Sequence, residues 1–133
     1  MADVIETMTN APKSQLTALL DDWCRCIESG DPDRIASLYD AKATVAYRRA
    51  CLQGRSELDD VLHFQRRKLQ HLRVAATEVE HESPQRLQFI LTLVGPFGVA
   101  TISNDWTVQD GRIRDHSLRL LVLDRSARAS LAA

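Results

Sequence analysis

The sequence has no apolar run approaching the ~20 residues that a membrane-spanning helix requires. It has no excess of one charge either. Its 17 basic and 18 acidic residues interleave to a formal net charge of −1, which leaves no electrostatic footprint for a nucleic acid. The three cysteines, Cys24, Cys26 and Cys51, are odd in number and lack zinc-finger spacing. No His-x-x-x-His or Cys-x-x-Cys pair proposes a metal site, and His63, His71 and His81 are not spaced as ligands. Also missing are a G-x-S-x-G elbow, a phosphate loop and a dinucleotide fingerprint, so no cofactor is expected. Residues 1–13 lack the basic and apolar regions of a secretory signal. These absences lead to the expectation of a reduced, cytoplasmic protein with idle thiols that binds neither nucleic acid nor membrane.

What is present suits one globular domain. The chain has 133 residues, of which 44% are hydrophobic and 26% charged. A chain of this size buries ~65–70% of the surface its unfolded form exposes, enough to fold without a metal or disulfide. Residues 1–12 read as a flexible arm, 13–123 as the domain and 124–133 as a flexible tail. Ser14 can cap a helix whose face is Leu16, Leu20, Trp23 and Ile27 and which stops at Gly30. Asp31-Pro32 opens a second helix reaching about Tyr39. Period-two alternation over residues 43–49 predicts a strand with Val45, Tyr47 and Arg49 on one face. After Gly54, Ser56 can cap a third helix to about Gln70, with Leu58, Val61, Leu62 and Leu69 as its apolar stripe.

From Leu72 onward the period becomes two. Strands are predicted at about 72–82, 86–94, 99–109 and 112–123, with Leu87, Phe89, Leu91 and Leu93 as a clean apolar face. Gly95-Pro96-Phe97-Gly98 and Asp110-Gly111 mark the turns. Glu78, Glu80 and Glu82 mark one solvated side of their strand. Helices first and long strands afterwards indicate an α+β fold: three helices packed on a strongly curved antiparallel sheet of four or five strands. Such a cone can leave an apolar pocket at its open end.

Several stretches in this order carry a resemblance: IESGDPDRIASLYDAKATVAY, then LQGRSEL, then WTVQDGRIRDH. Together, over about residues 14–122, they resemble the NTF2-like superfamily, particularly its SnoaL-like and ketosteroid-isomerase-like members with their cystatin-like cone. The resemblance implies a pocket for a small hydrophobic, carbonyl-bearing molecule and cofactor-free isomerase, cyclase or dehydratase chemistry. It equally accommodates a non-catalytic binding or dimerisation module, because fold alone does not decide function. The isomerase pattern places its oxyanion-hole tyrosine at Trp23, its general-base aspartate at Tyr47 and its second oxyanion-hole group at Asn104. None of the three is retained. A tyrosine with a pKa near ~10 does not replace a carboxylate base at neutral pH, whereas Trp23 and Asn104 could still donate to a carbonyl. The run VAYRRA resembles the scytalone dehydratases, in which a tyrosine at this place polarises a carbonyl. Glu28 falls at their helix-one aspartate, but their first catalytic histidine falls near Ala76.

Strand parity and the resemblance together turn Ile102, Asn104 and Trp106 inward, and beside them Arg114, His116, Leu118 and Leu120. His116, with an unperturbed pKa near ~6.5, is the candidate acid–base, alongside Asn104, Tyr47 and Trp23. Asp115 points to the other face. The alternative for His116 is a satisfied, partly buried histidine, and Asn104 could pair with it or with Trp23. Ligand-lining positions expected on this basis are Ile27, Tyr39, Val61, Leu87, Phe89, Leu91, Trp106 and Leu118. Arg49, with Arg48, would stand at the mouth. The basic run Arg66-Arg67-Lys68 is a solvated face or an anion contact. Outward Leu121 and Leu123 would support a homodimer through the sheet, as is common in the superfamily.

Overall fold

A computed structural model of the chain describes residues 14–126. The expected arm at residues 1–12 and most of the expected tail, 127–133, lie outside the described residues.

Helix α1 (Gln15–Ser29) buries Leu16, Leu19, Leu20, Trp23, Cys26 and Ile27, the single face its spacing predicted. The Ser14 hydroxyl accepts from the Thr17 N–H at 3.0 Å and caps it, and Gly30 closes it at φ 67°. Helix α2 (Pro32–Ala36) is capped by the Asp31 carboxylate, which accepts from the Asp33 N–H. It is shorter than expected, because Tyr39 already belongs to β1 (Tyr39–Tyr47). Arg48 and Arg49 then form a tight turn, with Arg48 at φ 55°, into a short strand β2 (Ala50–Gln53). The sequence reading missed β2 altogether, and Arg49 is not on the strand face it was assigned to.

Helix α3 (Arg55–Phe64) starts at Gly54 without a side-chain cap, so the expected Ser56 cap is not made. The Glu57 carboxylate instead accepts from the Gln53 N–H at 2.7 Å. A break at Gln65 separates α3 from the short helix α4 (Arg66–Leu69). Leu58 is the buried residue of α3, whereas Val61 is 40% exposed and does not line the interior.

Strands β3 (Arg73–Ser83), β4 (Arg86–Gly95), β5 (Gly98–Gln109) and β6 (Arg112–Asp124) fall close to their expected bounds. The six strands are ordered β2-β1-β6-β5-β4-β3. The sheet is mixed rather than antiparallel throughout, since β1 runs parallel to β6. Helices and loops between β1 and the later strands make that return possible without a tight hairpin.

Curvature comes from irregularities that no single strand displays. On β3 the register slips at Ala75 and Glu80, and on β6 at Arg114 and Leu121. Each extra residue bends its strand and sharpens the local twist. Three corrections follow. Ile113 and His116 are both buried and inward, while the bulged Arg114 leaves the interior and pairs with Asp40 at 3.6 Å. Leu123 lies opposite the buried Ala100 and therefore shares the concave face, so Leu121 and Leu123 do not form one outward patch. Glu78 and Glu82, opposite Ile90 and Leu87, belong to opposite faces. The concave row Leu87, Phe89 and Leu91 packs against α1 and completes one core with Trp23, Trp106 and Ile113.

Candidate functional site

The concave face holds two distinct environments. At its closed end lie Asn104 and His116, the buried polar residues among the described ones, 2% and 3% exposed. They belong to a continuous chain of hydrogen bonds. The Trp23 indole N–H donates to the Tyr39 hydroxyl at 3.1 Å, and that hydroxyl lies 2.8 Å from His116 Nδ1. His116 Nε2 lies 2.8 Å from Asn104 Oδ1, and the Asn104 amide donates to the Ile102 carbonyl at 3.1 Å.

The chain has only one consistent direction. Turning the Asn104 amide over would set its oxygen against the Ile102 carbonyl, so Oδ1 must be the acceptor facing His116. His116 therefore carries its proton on Nε2, and its bare Nδ1 accepts from Tyr39. Tyr39 in turn receives the Trp23 proton. Burial pushes the His116 imidazole down to about 3, opposed weakly by the Asp105 carboxylate. Burial also raises the Tyr39 hydroxyl, and the Trp23 hydrogen bond offsets this in part. At neutral pH the histidine is uncharged and both ring nitrogens are engaged. It is poorly suited to proton transfer.

The aromatic rings close around this chain. Phe89 and Trp106 meet edge to face at 4.9 Å, Trp23 and Trp106 at 5.5 Å, and Trp106 and His116 at 5.9 Å. Trp106 is fully buried, and its Nε1–H has no hydrogen-bond partner among the described residues. Leaving a buried donor unpaired costs about 1–3 kcal/mol.

Of the expected catalytic set, Trp23, Asn104 and His116 are brought together and Tyr47 is not. Tyr47 lies opposite Leu118 on the β1–β6 ladder, half-buried, with the Arg48 guanidinium 5.4 Å from its ring centre. The tyrosine that joins the chain is Tyr39, which the sequence reading placed among the lining residues. Tyr39 opens β1, and only the parallel pairing of β1 with β6 brings it to His116, so no local signal in the sequence marked it. Ile27, Leu87, Phe89, Leu91 and Trp106 are buried core residues, Leu118 is half-buried, and Arg49 is exposed in its turn. Asp115 is outward as expected and accepts from the Thr44 hydroxyl at 2.6 Å. Burial pushes the Cys24 thiol up to about 11, with Asp21 and Glu28 adding to it, which keeps it protonated at neutral pH.

The open end differs. Where the concave row runs out at Leu93, a hollow of about 540 Å³ is lined by Gln65, Lys68, Leu69, Leu72, Leu93, Pro96 and Phe97. Of these, only Lys68 was named as a ligand contact from the sequence, as part of a basic run that could be a solvated face or an anion contact. They come from α4, the segment after it and the β4–β5 turn, which only the fold brings together. A second hollow, of about 530 Å³, lies between α2 and α3 and includes Asp33, Asp59 and Arg55. At its edge Asp33, Asp59 and His63 place their ligand-type atoms within 4.8 Å of one another, a grouping that spacing alone had not suggested. His63 Nε2 lies 2.8 Å from Asp33, whose hydrogen bond raises the imidazole pKa.

No protein-family model matches the chain, and no curated protein matches its sequence. Solved structures do match its fold. An NTF2-like protein from Anabaena variabilis superposes with a TM-score of 0.69 at 8% identity, covering 81% of this chain and 87% of that one. An NTF2-like protein from Cytophaga hutchinsonii gives 0.66 at 7% identity over 84% and 94%. A protein assigned as a SnoaL-like isomerase from Agrobacterium tumefaciens gives 0.66 at 15% identity over 83% and 100%. The chain therefore has the NTF2-like fold that its sequence resembled.

Proposed function

We propose that this NTF2-like chain binds a small, mostly hydrophobic molecule at the open end of its cone and that its buried histidine serves as structure rather than as an acid or base. The observation that carries this reading is the 540 Å³ hollow at the end of the concave row, lined by Leu69, Leu72, Leu93, Pro96 and Phe97 with Gln65 and Lys68 as its polar residues. Ligand pockets typically span ~300–1,000 Å³, with apolar walls and a few polar groups that orient the ligand. The Gln65 amide and the Lys68 ammonium are the donors there, and either can hold a ligand oxygen.

The state of His116 supports binding over turnover. A proton-shuttling histidine needs a pKa near the working pH and a free nitrogen facing its substrate. His116 has neither. Structures with this fold include proteins assigned as polyketide cyclases and an epoxide hydrolase/cyclase-like enzyme. That company favours an oxygen-bearing, hydrophobic molecule as the kind to try first.

The test is calorimetric titration of a medium-chain ketone, nonan-2-one, into the wild type and Phe97→Ala. Removing the aromatic wall is expected to weaken binding at least about tenfold, since a buried phenylalanine side chain contributes about 1.5–3 kcal/mol. Wild type that shows no heat of binding, or Phe97→Ala that binds equally well, overturns the reading.

A further inference from the structure

We infer that the mouth pocket selects amphipathic anions, with the hydrocarbon body between Leu69, Leu72, Leu93 and Phe97 and a carboxylate head at the Lys68 ammonium. This rests on the proposed reading of that pocket as the ligand site and adds the charge of the ligand.

Charge distribution carries the inference. The lining of the pocket contains Lys68 and no acidic residue. A neighbouring hollow of about 400 Å³ shares Gln65 and Lys68 and is completed by His63, Phe64, Arg66 and Arg67. Every ionisable side chain that lines the two hollows is therefore basic, with His63 at the second already paired to Asp33 and Asp59. Among the described residues, Arg66, Arg67 and Lys68 hold no ion pair. An ammonium on a flexible stem can lay its methylenes on an apolar wall and keep its charge at the opening. A ligand with an anionic end completes that arrangement, and a ligand with a cationic end opposes it.

The wall is built rather than incidental. At Gly98 the turn holds φ at 117°, and a Cβ there would fall 2.3 Å from the Asp124 carbonyl oxygen, so only glycine fits. At Gly95 an added Cβ would lie 2.7 Å from the Phe97 ring and 2.9 Å from the Leu72 side chain. The missing side chain at Gly95 is what lets Phe97 and Leu72 form adjacent walls. A pocket with its walls already set loses less freedom on binding.

The experiment is calorimetric titration of the full chain with octanoate, octan-1-ol and octyltrimethylammonium. Wild type is compared with Lys68→Met, Gly95→Ala and Phe97→Ala, each checked for an intact melting transition. Octanoate is expected to bind about fivefold tighter than octan-1-ol, the most that a solvent-exposed ion pair usually supplies. That advantage should vanish in Lys68→Met and shrink at high salt. The ammonium probe should bind weakest, and both pocket variants should weaken all three probes. Equal binding of octanoate and octan-1-ol overturns the charge selection and leaves the pocket standing. Binding of none of the three probes overturns both, as does octanoate binding that neither pocket variant changes.

Discussion

The two ends of the concave face use the same kinds of residue in opposite ways. At the closed end, four polar side chains are buried and engage one another in sequence, from Trp23 through Tyr39 and His116 to Asn104. At the open end, the half-buried Gln65 and the exposed Lys68 are the polar residues lining a hollow. A buried polar group stabilises the fold only when its partner is fixed, so the closed end must be rigid and saturated. An exposed group keeps its hydration and can exchange water for a ligand. The contrast places His116, the acid–base candidate from the sequence, in the hydrogen-bonded, saturated part of the molecule.

The strongest challenge to this contrast is to remove the hub. His116→Ala leaves the Tyr39 hydroxyl and Asn104 Oδ1 without their partner and opens a cavity, so urea unfolding should show a loss of about 3–5 kcal/mol. Its octanoate affinity at the far end should not change. A loss below about 1 kcal/mol would mean that the buried chain contributes little, and that the closed end is not the stabilising one.

Acid should act at the closed end next. The folded-state pKa of His116 lies near 3, below the ordinary value of 6.5. The unfolded chain therefore takes up the proton first, and stability is complete above the ordinary value and falls as pH drops toward the folded one. The slope approaches about 1.4 kcal/mol per pH unit below the ordinary value, which gives about 1.6 kcal/mol between pH 6.5 and pH 5. Comparing wild type with His116→Gln over that interval isolates the effect from the carboxylates. Parallel curves for the two proteins would show that His116 is not held neutral.

A finer comparison uses the two tryptophans, which touch each other but differ in one bond. Trp23 donates to Tyr39, and the Trp106 N–H has no partner among the described residues. Trp23→Phe should therefore cost about 1 kcal/mol more than Trp106→Phe, the net worth of one hydrogen bond. A larger loss from Trp106→Phe would indicate that its N–H is satisfied in solution.

The smallest effect is expected at the surface. His63 has its pKa raised chiefly by the hydrogen bond to Asp33. Its contribution to stability is present below the unfolded value and disappears as pH rises through the folded one. Proton NMR should find His63 titrating above 6.5, with Asp33→Asn moving it back down. No change on that substitution would disprove the pairing.

Much of the architecture was legible in residue order. The α1 face, the alternation from Leu87 to Leu93 and the Asp110-Gly111 turn are local patterns. In that turn both residues hold positive φ, at 53° and 75°, as a two-residue hairpin demands. The site was legible only in part. Parity taken together with the resemblance turned Asn104, Trp106 and His116 inward, where they are buried, but it failed at Arg114 and Leu123. A bulge is a property of two strands in register and leaves no mark on the alternation of one. Tyr39 escaped because a helix was extended through it, and β2 because four residues after a tight turn carry too little periodicity.

Composition, hydrophobic period and turn residues therefore determined the class of fold and which residues form its core, since these depend on each segment's own preference to bury one face. Which tyrosine meets His116, which direction its protons take and where the open hollow lies were decided by tertiary structure. Each depends on distances between segments far apart in the chain, and these exist only once the register between strands has been set.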